Sequence, residues 1–536
     1  MKKENSLKNY VLLHKADISK ILLAIIFIML IFVPLITMFS NLTIDGIKKV
    51  FTTESFFTTL SHSLIASTIS MVITVVLAYL AAYFIERSNI KAKGIFSIIF
   101  LLPMLTPSLS IGMGIIIVAG QNGIIANLLN ANVNVYGLVG IIIGSVLYSF
   151  PVAFLMFQNV LKYENSTPYE AAEVLGISKF KQFTSITLPY LKKPLISIVF
   201  AVFTLIITDY GVPLMVGGKY TTLPVVMYQD VIERSNYNVG VVYGCIFLIP
   251  AILAFVVDLL NKESANSSFV TKPFENNDNK LKKVIAYVFS LVVSAIIVFF
   301  IFSFIIMGFA KSYPNNLTFT LDNIAKTFKL RAGRYLLNSI VIALLVSVLG
   351  VVIAFFTAYM TARMKTKTSK FLHLSSITSA AVPGLVLGLS YLLVFRRSSL
   401  NGTIIILVLV NMVHFISSPY LMMYNTFSKL NDNLEAVGHT LGISRAHMIK
   451  DVFVPTCKGT LMEMFSYFFV NCMMTISAVS FLYYPTNKPI SLMINQFEAQ
   501  MQYECAAIVS LIILGINLIV KGTIHIIKTK RKKQAI

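Results

Sequence analysis

EAAEVLGISKFKQFTSITLP, residues 170–189, is a run of small, charged and amide residues between two long apolar segments, and AVGHTLGISRAHMIKDVFVP, residues 436–455, is built to the same plan. Glu170, Ala171, Ala172 and Glu173 favour a helix with acids at the positive end of its dipole. Ser166 or Thr167 stands where a cap is wanted. Gly176 permits a tight bend or the close approach of another backbone, and Pro189 stands where proline prefers to start the next helix. A bare connector between two spans needs only a few residues. This chain instead spends residues 161–191 and 428–457, with thirteen residues from glycine to proline both times. A connector longer than topology requires, and made twice, points to a docking surface for a two-fold symmetric partner.

The surroundings of these loops are apolar. Hydrophobic residues make up 57% of the chain and charged residues 12%, with a mean hydropathy of +0.80; soluble domains carry about a quarter charged residues. The fold class is therefore an all-α polytopic membrane protein. A hydrocarbon core needs about 20 apolar residues per helix. Twelve such windows occur, near 20–40, 58–86, 95–119, 136–160, 194–217, 239–260, 284–310, 337–362, 372–395, 402–427, 459–483 and 503–522. No small-residue cleavage site follows the first, which reads as an anchor. With an even number of spans both termini share a side, and that side holds 32 of the 44 Lys and Arg residues. The positive-inside rule places the termini and both loops in the cytoplasm. The net charge of +22 is spread over short loops and the KTKRKKQ tail, which fits anchoring to anionic lipid and gives no reason to expect nucleic acid. Cys245, Cys457, Cys472 and Cys505 lie in or beside apolar segments without metal or disulfide spacing.

The chain repeats internally. TIDGIKKVF (43–51) matches TLDNIAKTF (320–328), and the following span pairs Ser63 with Ser339, Ala78 with Ala354, Tyr83 with Tyr359 and Arg87 with Arg363 at an offset of 276. Pro107 pairs with Pro383 and Gly112 with Gly388; the offset falls to 266 at Gly176 and Gly442, after an insertion within residues 120–137. Two six-span repeats in parallel orientation result: 20–260 and 284–522, with an N-terminal segment 1–19, a polar linker 261–283 and a basic tail 523–536. Such repeats are related by an axis along the membrane normal.

The pattern of Glu-Ala-Ala, then glycine, then a Leu-Pro ending resembles the EAA loop of permease subunits of binding-protein-dependent ATP-binding-cassette importers. The matching residues are Glu170, Ala171, Ala172, Gly176, Leu188 and Pro189, and in the second copy Glu435, Ala436, Leu441, Gly442 and Pro455. Val437 and Gly438 replace the two alanines there, and Val454 the leucine, which implies a weaker second helix. The fused layout and PGLVLGLSYLLVF (383–395) resemble permeases for ferric iron, 2-aminoethylphosphonate and polyamines, and the resemblance leans towards a phosphonate-type solute. It implies a type I importer fold in the bacterial inner membrane, with coupling helices near 170–182 and 435–448. It also implies a separate ATPase dimer on the cytoplasmic side, which uses the ATP, and an extracytoplasmic solute-binding protein.

Other chemistries find little support. No GxxxxGK sequence ending in Ser or Thr is present; GVPLMVGGKY (211–220) has the wrong glycine spacing, so this chain carries no ATP cofactor site. His439 and His447 are eight apart, which suits no metal pair, and no catalytic constellation appears. The alternative is an ion-driven secondary transporter, which would want ionisable groups near the bilayer middle. Asp209 lies twenty residues past Pro189, and Glu463 eight past Pro455, so neither reaches that depth. Asp209, Tyr210, Asn471, Thr475 and Ser477 are pathway candidates, with Thr475 the repeat counterpart of Asp209, although such groups commonly bond neighbouring helices. Pro107 with Gly112, and Pro383 with Gly388, are candidate gating bends.

Overall fold

Helix Ser55–Arg87 buries Ser63, Ala66, Ser67, Ser70, Thr74, Ala78 and Ala82, while Leu64, Ile65, Ile69, Val72 and Val76 are exposed. In water this pattern would be inside out. In lipid it is expected, because large aliphatic side chains gain nothing by leaving hydrocarbon, whereas small residues let helix backbones approach. The small face lies along helix Leu138–Lys162, and Thr74 and Ser149 share a hydrogen bond of 2.9 Å between them. The second repeat does the same with Ala343, Ser347, Gly350, Ala354 and Ala358 on Ala332–Ala362. Gly350 takes the place of Thr74, and a Cβ there would meet the Phe468 ring at 2.6 Å.

The computed structural model describes residues 18–121, 123–129, 134–262, 280–431 and 433–534. Residues 1–17, most of the linker, part of the 120–137 insertion and the last residues of the tail lie outside them. Among the described residues nine helices are long and apolar enough to cross a bilayer, or up to eleven if two bent pairs count as spans. Twelve is not reached on length and composition, because window 459–483 holds a helix of only 17 residues, Lys458–Met474. The two bent pairs are Lys367–Ala381 with Gly384–Phe395, at 109°, and Ile404–Phe415 with Ser417–Ser428, at 51°. Among the described residues, strand is confined to a hairpin pairing Ala310–Ser312 with Asn316–Phe319.

The described helices form two compact units. One comprises Thr43–Ala332 and Ser491–Leu514; the other comprises Met1–Leu42, Gly333–Ile490 and Gly515–Ile536. The units interleave the sequence repeats: the first apolar helix, Ile18–Ser40, belongs with the second repeat, and Lys280–Phe309 belongs with the first. In the first unit Ala286 and Ile297 of Lys280–Phe309 join a core with Phe100, Phe150, Phe154 and Phe157; Phe100 and Phe154 meet edge to face at 5.3 Å, a favoured aromatic geometry. In the other unit Pro34 cannot donate to the carbonyl of Leu30, and the freed oxygen accepts the Tyr391 hydroxyl at 2.8 Å. A π-turn at Ile28–Phe32 accommodates the proline ring.

Candidate functional site

The first loop begins with a short helix, Thr167–Val174. Ser166 occupies the cap position but caps nothing: its backbone is already helical (φ −75°, ψ −25°), and its hydroxyl instead donates to Glu170 Oε1 at 2.9 Å. The Asn165 side chain takes over, accepting the Thr167 amide at 3.2 Å. At the other end the Gly176 amide donates to Glu173 O at 3.0 Å and the Ile177 amide to Ala172 O at 2.9 Å, the paired bonds of a Schellman stop. Gly176 has φ +68°. The second helix, Leu434–Thr440, ends identically: Gly442 (φ +69°) donates to His439 O at 3.1 Å and Ile443 to Gly438 O at 2.8 Å.

Single helices expected over 170–182 and 435–448 are thus each broken at the glycine. Ser178 and Ser444 restart them, accepting from the Lys181 and His447 amides. The restarted helix runs on as Lys179–Ile207, so Pro189 lies inside it rather than at its start. A π-turn, Phe183–Thr187, absorbs that proline, and Ile449–Phe453 does the same before Pro455. A Cβ on Gly176 or Gly442 would meet nothing within 4 Å, so within this chain the positive φ, and not crowding, is what calls for glycine. Gly176→Ala and Gly442→Ala should each cost the local fold about 1 kcal/mol, read as faster amide exchange confined to the loop.

Counted back from the two glycines, Glu435 stands where Tyr169 does, and Ala436 stands where Glu170 does. Gly438 replaces buried Ala172 for a visible reason: a Cβ at Gly438 would lie 2.1 Å from Met448 Sδ, whereas the corresponding Gln182 turns away to donate to Ile177 O at 2.8 Å. Ala171 is exposed. The loop tips present apolar side chains to solvent: Val174 (88% exposed), Leu175 (74%) and Phe180 (78%) in the first, Val437 and Leu441 in the second.

Sequence reasoning missed what holds the loop helices. Arg87, the last residue of its span, donates to Glu164 Oε2 at 2.5 Å and to Leu161 O at 2.8 Å, with both side chains buried. Glu164 Oε1 accepts the Tyr169 hydroxyl at 2.5 Å, and that hydroxyl lies 2.7 Å from Thr187 Oγ1. Burial, followed by the bond to Glu164, holds the Tyr169 phenol well above its usual range. In the second repeat Arg363 makes a two-pronged bond to Glu435, Nε to Oε1 at 2.8 Å and Nη2 to Oε2 at 2.5 Å. The signal was available: an arginine ends the same apolar span twice.

The pathway candidates take structural positions. Asp209 accepts Ser108 Oγ at 2.6 Å and the amides of Gly211 and Val212 at 3.3 and 3.0 Å, so it satisfies the first two amides of helix Gly211–Val216 from just before its cap residue, Tyr210. Tyr210 is buried and stacks on Tyr228 at 4.8 Å. Asn471 donates to Tyr467 O at 2.8 Å, and Thr475 ends the helix Lys458–Met474. Glu463 is paired with Lys528. Asp209→Ala should remove about 1–3 kcal/mol by leaving buried donors unmatched, read as a lower melting temperature with Asp209→Asn intermediate.

Pro107 and Pro383 each precede a helix, Ser108–Ala119 and Gly384–Phe395. The glycines one turn later are close contacts. A Cβ on Gly112 would meet Met215 Cβ at 2.5 Å, one on Gly388 would meet Ala478 O at 2.7 Å, and one on Gly384 would meet Ser477 Oγ at 2.2 Å.

A doubled helical membrane unit with a matched loop in each copy is the form of a fused transport permease. Residues 74–262 and again 350–533 match the family of binding-protein-dependent transport system inner membrane components, and the chain belongs to that family. It is a fused, two-repeat permease of an ATP-binding-cassette importer. A putative ferric transport system permease protein of Haemophilus influenzae is 24% identical over 86% of this chain and 77% of its own length. The ferric transport system permease protein of Actinobacillus pleuropneumoniae is 25% identical over 86% of this chain and 71% of its own. A chain of a bacterial alginate ABC transporter, solved in complex with an alginate pentasaccharide-bound periplasmic protein, is 16% identical over 49% of this chain and 96% of its own, with a TM-score of 0.37.

Proposed function

We propose that this chain forms the translocation pathway for ferric iron and couples it to a separate cytoplasmic ATPase dimer through the two glycine-stopped loops. The observation that carries the coupling reading is the repeated loop, which ends in a rigid Schellman stop and presents unpartnered apolar side chains. Apolar side chains held out on a loop mark a protein contact. Two such loops in equivalent sequence positions suit a partner with two equal clefts. The excess of Lys and Arg on the side holding both termini supports a cytoplasmic position for the loops. An external solute-binding protein would deliver the solute, in keeping with the family. Ferric iron is preferred over phosphonate or polyamine because the two relatives matched over most of their length carry that name.

In this reading ATP acts by its differential affinity for two states of the partner, and the loops pass the difference to the helices. Uptake of radiolabelled Fe(III) by vesicles holding the chain, its ATPase and its binding protein tests the proposal. ATP-dependent accumulation, lost when the binding protein is omitted, is the expected result. Accumulation of phosphonate or polyamine instead would overturn the solute, and accumulation without ATP would overturn the mechanism.

A further inference from the structure

We propose that Arg87 and Arg363 are positioning residues that carry movement of each loop helix into the span each arginine terminates; this rests on the docking role proposed above. Four sequence positions are involved in each repeat, and three have been exchanged. Arg87 corresponds to Arg363, Glu164 to Leu430, Tyr169 to Glu435 and Thr187 to Phe453. In the first repeat the chain of bonds runs from Arg87 to Glu164, through the Tyr169 hydroxyl on the loop helix, to Thr187 in the π-turn of the next helix. In the second the acid has moved onto the loop helix itself. Arg363 grips Glu435 directly, reaches Leu430 O at 3.0 Å and Asn431 O at 2.7 Å, and lies over the Phe453 ring at 5.8 Å.

A buried ion pair contributes little net stability compared with an apolar replacement, but breaking one partner is costly. Stability alone therefore gives no reason for this wiring to occur twice with different partners. What the two networks share is mechanical. Each ties the end of a membrane span to a loop helix by short, directional, charge-assisted bonds that resist sliding, and a planar guanidinium offers several donors in a fixed fork. Apolar packing alone would allow the loop helix to shift without drawing the span.

The exchange supplies its own test. Glu164→Leu alone leaves Arg87 without its acid. Tyr169→Glu alone crowds a second carboxylate against Glu164. Combined, the two substitutions copy the arginine–acid pairing of the second repeat. The measurement is solute imported per ATP hydrolysed by the purified complex, with bound ATPase and folded chain quantified alongside. The expected result is a drop of about tenfold in that ratio for each single variant, with the ATPase still bound, and recovery in the double. Arg87→Lys, which keeps the charge but not the fork, should resemble the singles. Singles with an unchanged ratio, or a double no better than they are, would overturn the proposal. Singles that lose the fold or the bound ATPase would also overturn it, because the network would then be a prop. Wild-type chain that holds no ATPase would instead remove the docking role itself.

Discussion

Phe180→Asp combined with Leu175→Ser should release the ATPase from the permease and abolish ATP-driven uptake while leaving the membrane helices folded. Both side chains stand in solvent at the first loop's tip, so their removal opens no cavity. Phe180 lies in the first turn of Lys179–Gln182, where an acid is favoured by the helix dipole. Leu175 is at a helix C-terminus, where serine avoids adding a charge of the wrong sign. Burying a leucine and a phenylalanine in a partner cleft is worth roughly 1.5–3 kcal/mol each, so the pair should lower ATPase affinity by at least about a hundredfold. Leu441→Ser in the second loop should do less, because Ala446 stands where the first loop has Phe180. ATPase retained on the tagged permease through detergent washing is the readout. Full retention by the double variant would place the docking surface elsewhere.

Gly388→Ala should be the most damaging single methyl addition among the candidate gating residues. Its Cβ would lie 2.7 Å from the carbonyl oxygen of Ala478, a backbone atom that cannot rotate away. The extra volume must part Gly384–Phe395 from the segment after Thr475, at a cost of about 1–3 kcal/mol. Gly112→Ala meets the Cβ of Met215 at 2.5 Å and should follow closely. A fall of several degrees in melting temperature, with less folded protein recovered, is expected for both. A variant with normal stability but altered transport would restore the gating role to the glycine, where the geometry assigns it to packing.

The features legible in the sequence were those set by local chemistry. Gly176 reads as a place for a tight bend, and a bend is there, although it stops a helix that was expected to run on through it, as Gly442 does in the second loop. Pro107 and Pro383 announce breaks, and helices start just after them. What was not legible depended on distant partners. Arg87 and Glu164 are separated by 77 positions, and nothing local to either names the other. Asp209 shows in the sequence as an acid towards the end of a span, with no sign of the Ser108 hydroxyl and the two amides it accepts from. Hydropathy windows find helix but not continuity, so the 51° bend between Ile404–Phe415 and Ser417–Ser428 and the short Lys458–Met474 both passed as plain spans. Nor does an apolar segment state its neighbours: Ile18–Ser40 gives no hint that Leu30 awaits Tyr391.

The measurement that bears most directly on the proposed coupling is purification of the chain from its native membranes with identification and stoichiometry of the proteins that accompany it. Two copies of a soluble chain bearing a phosphate-binding loop, released by Phe180→Asp with Leu175→Ser, are expected. A permease that comes away alone and accumulates solute on an ion gradient without ATP would contradict it.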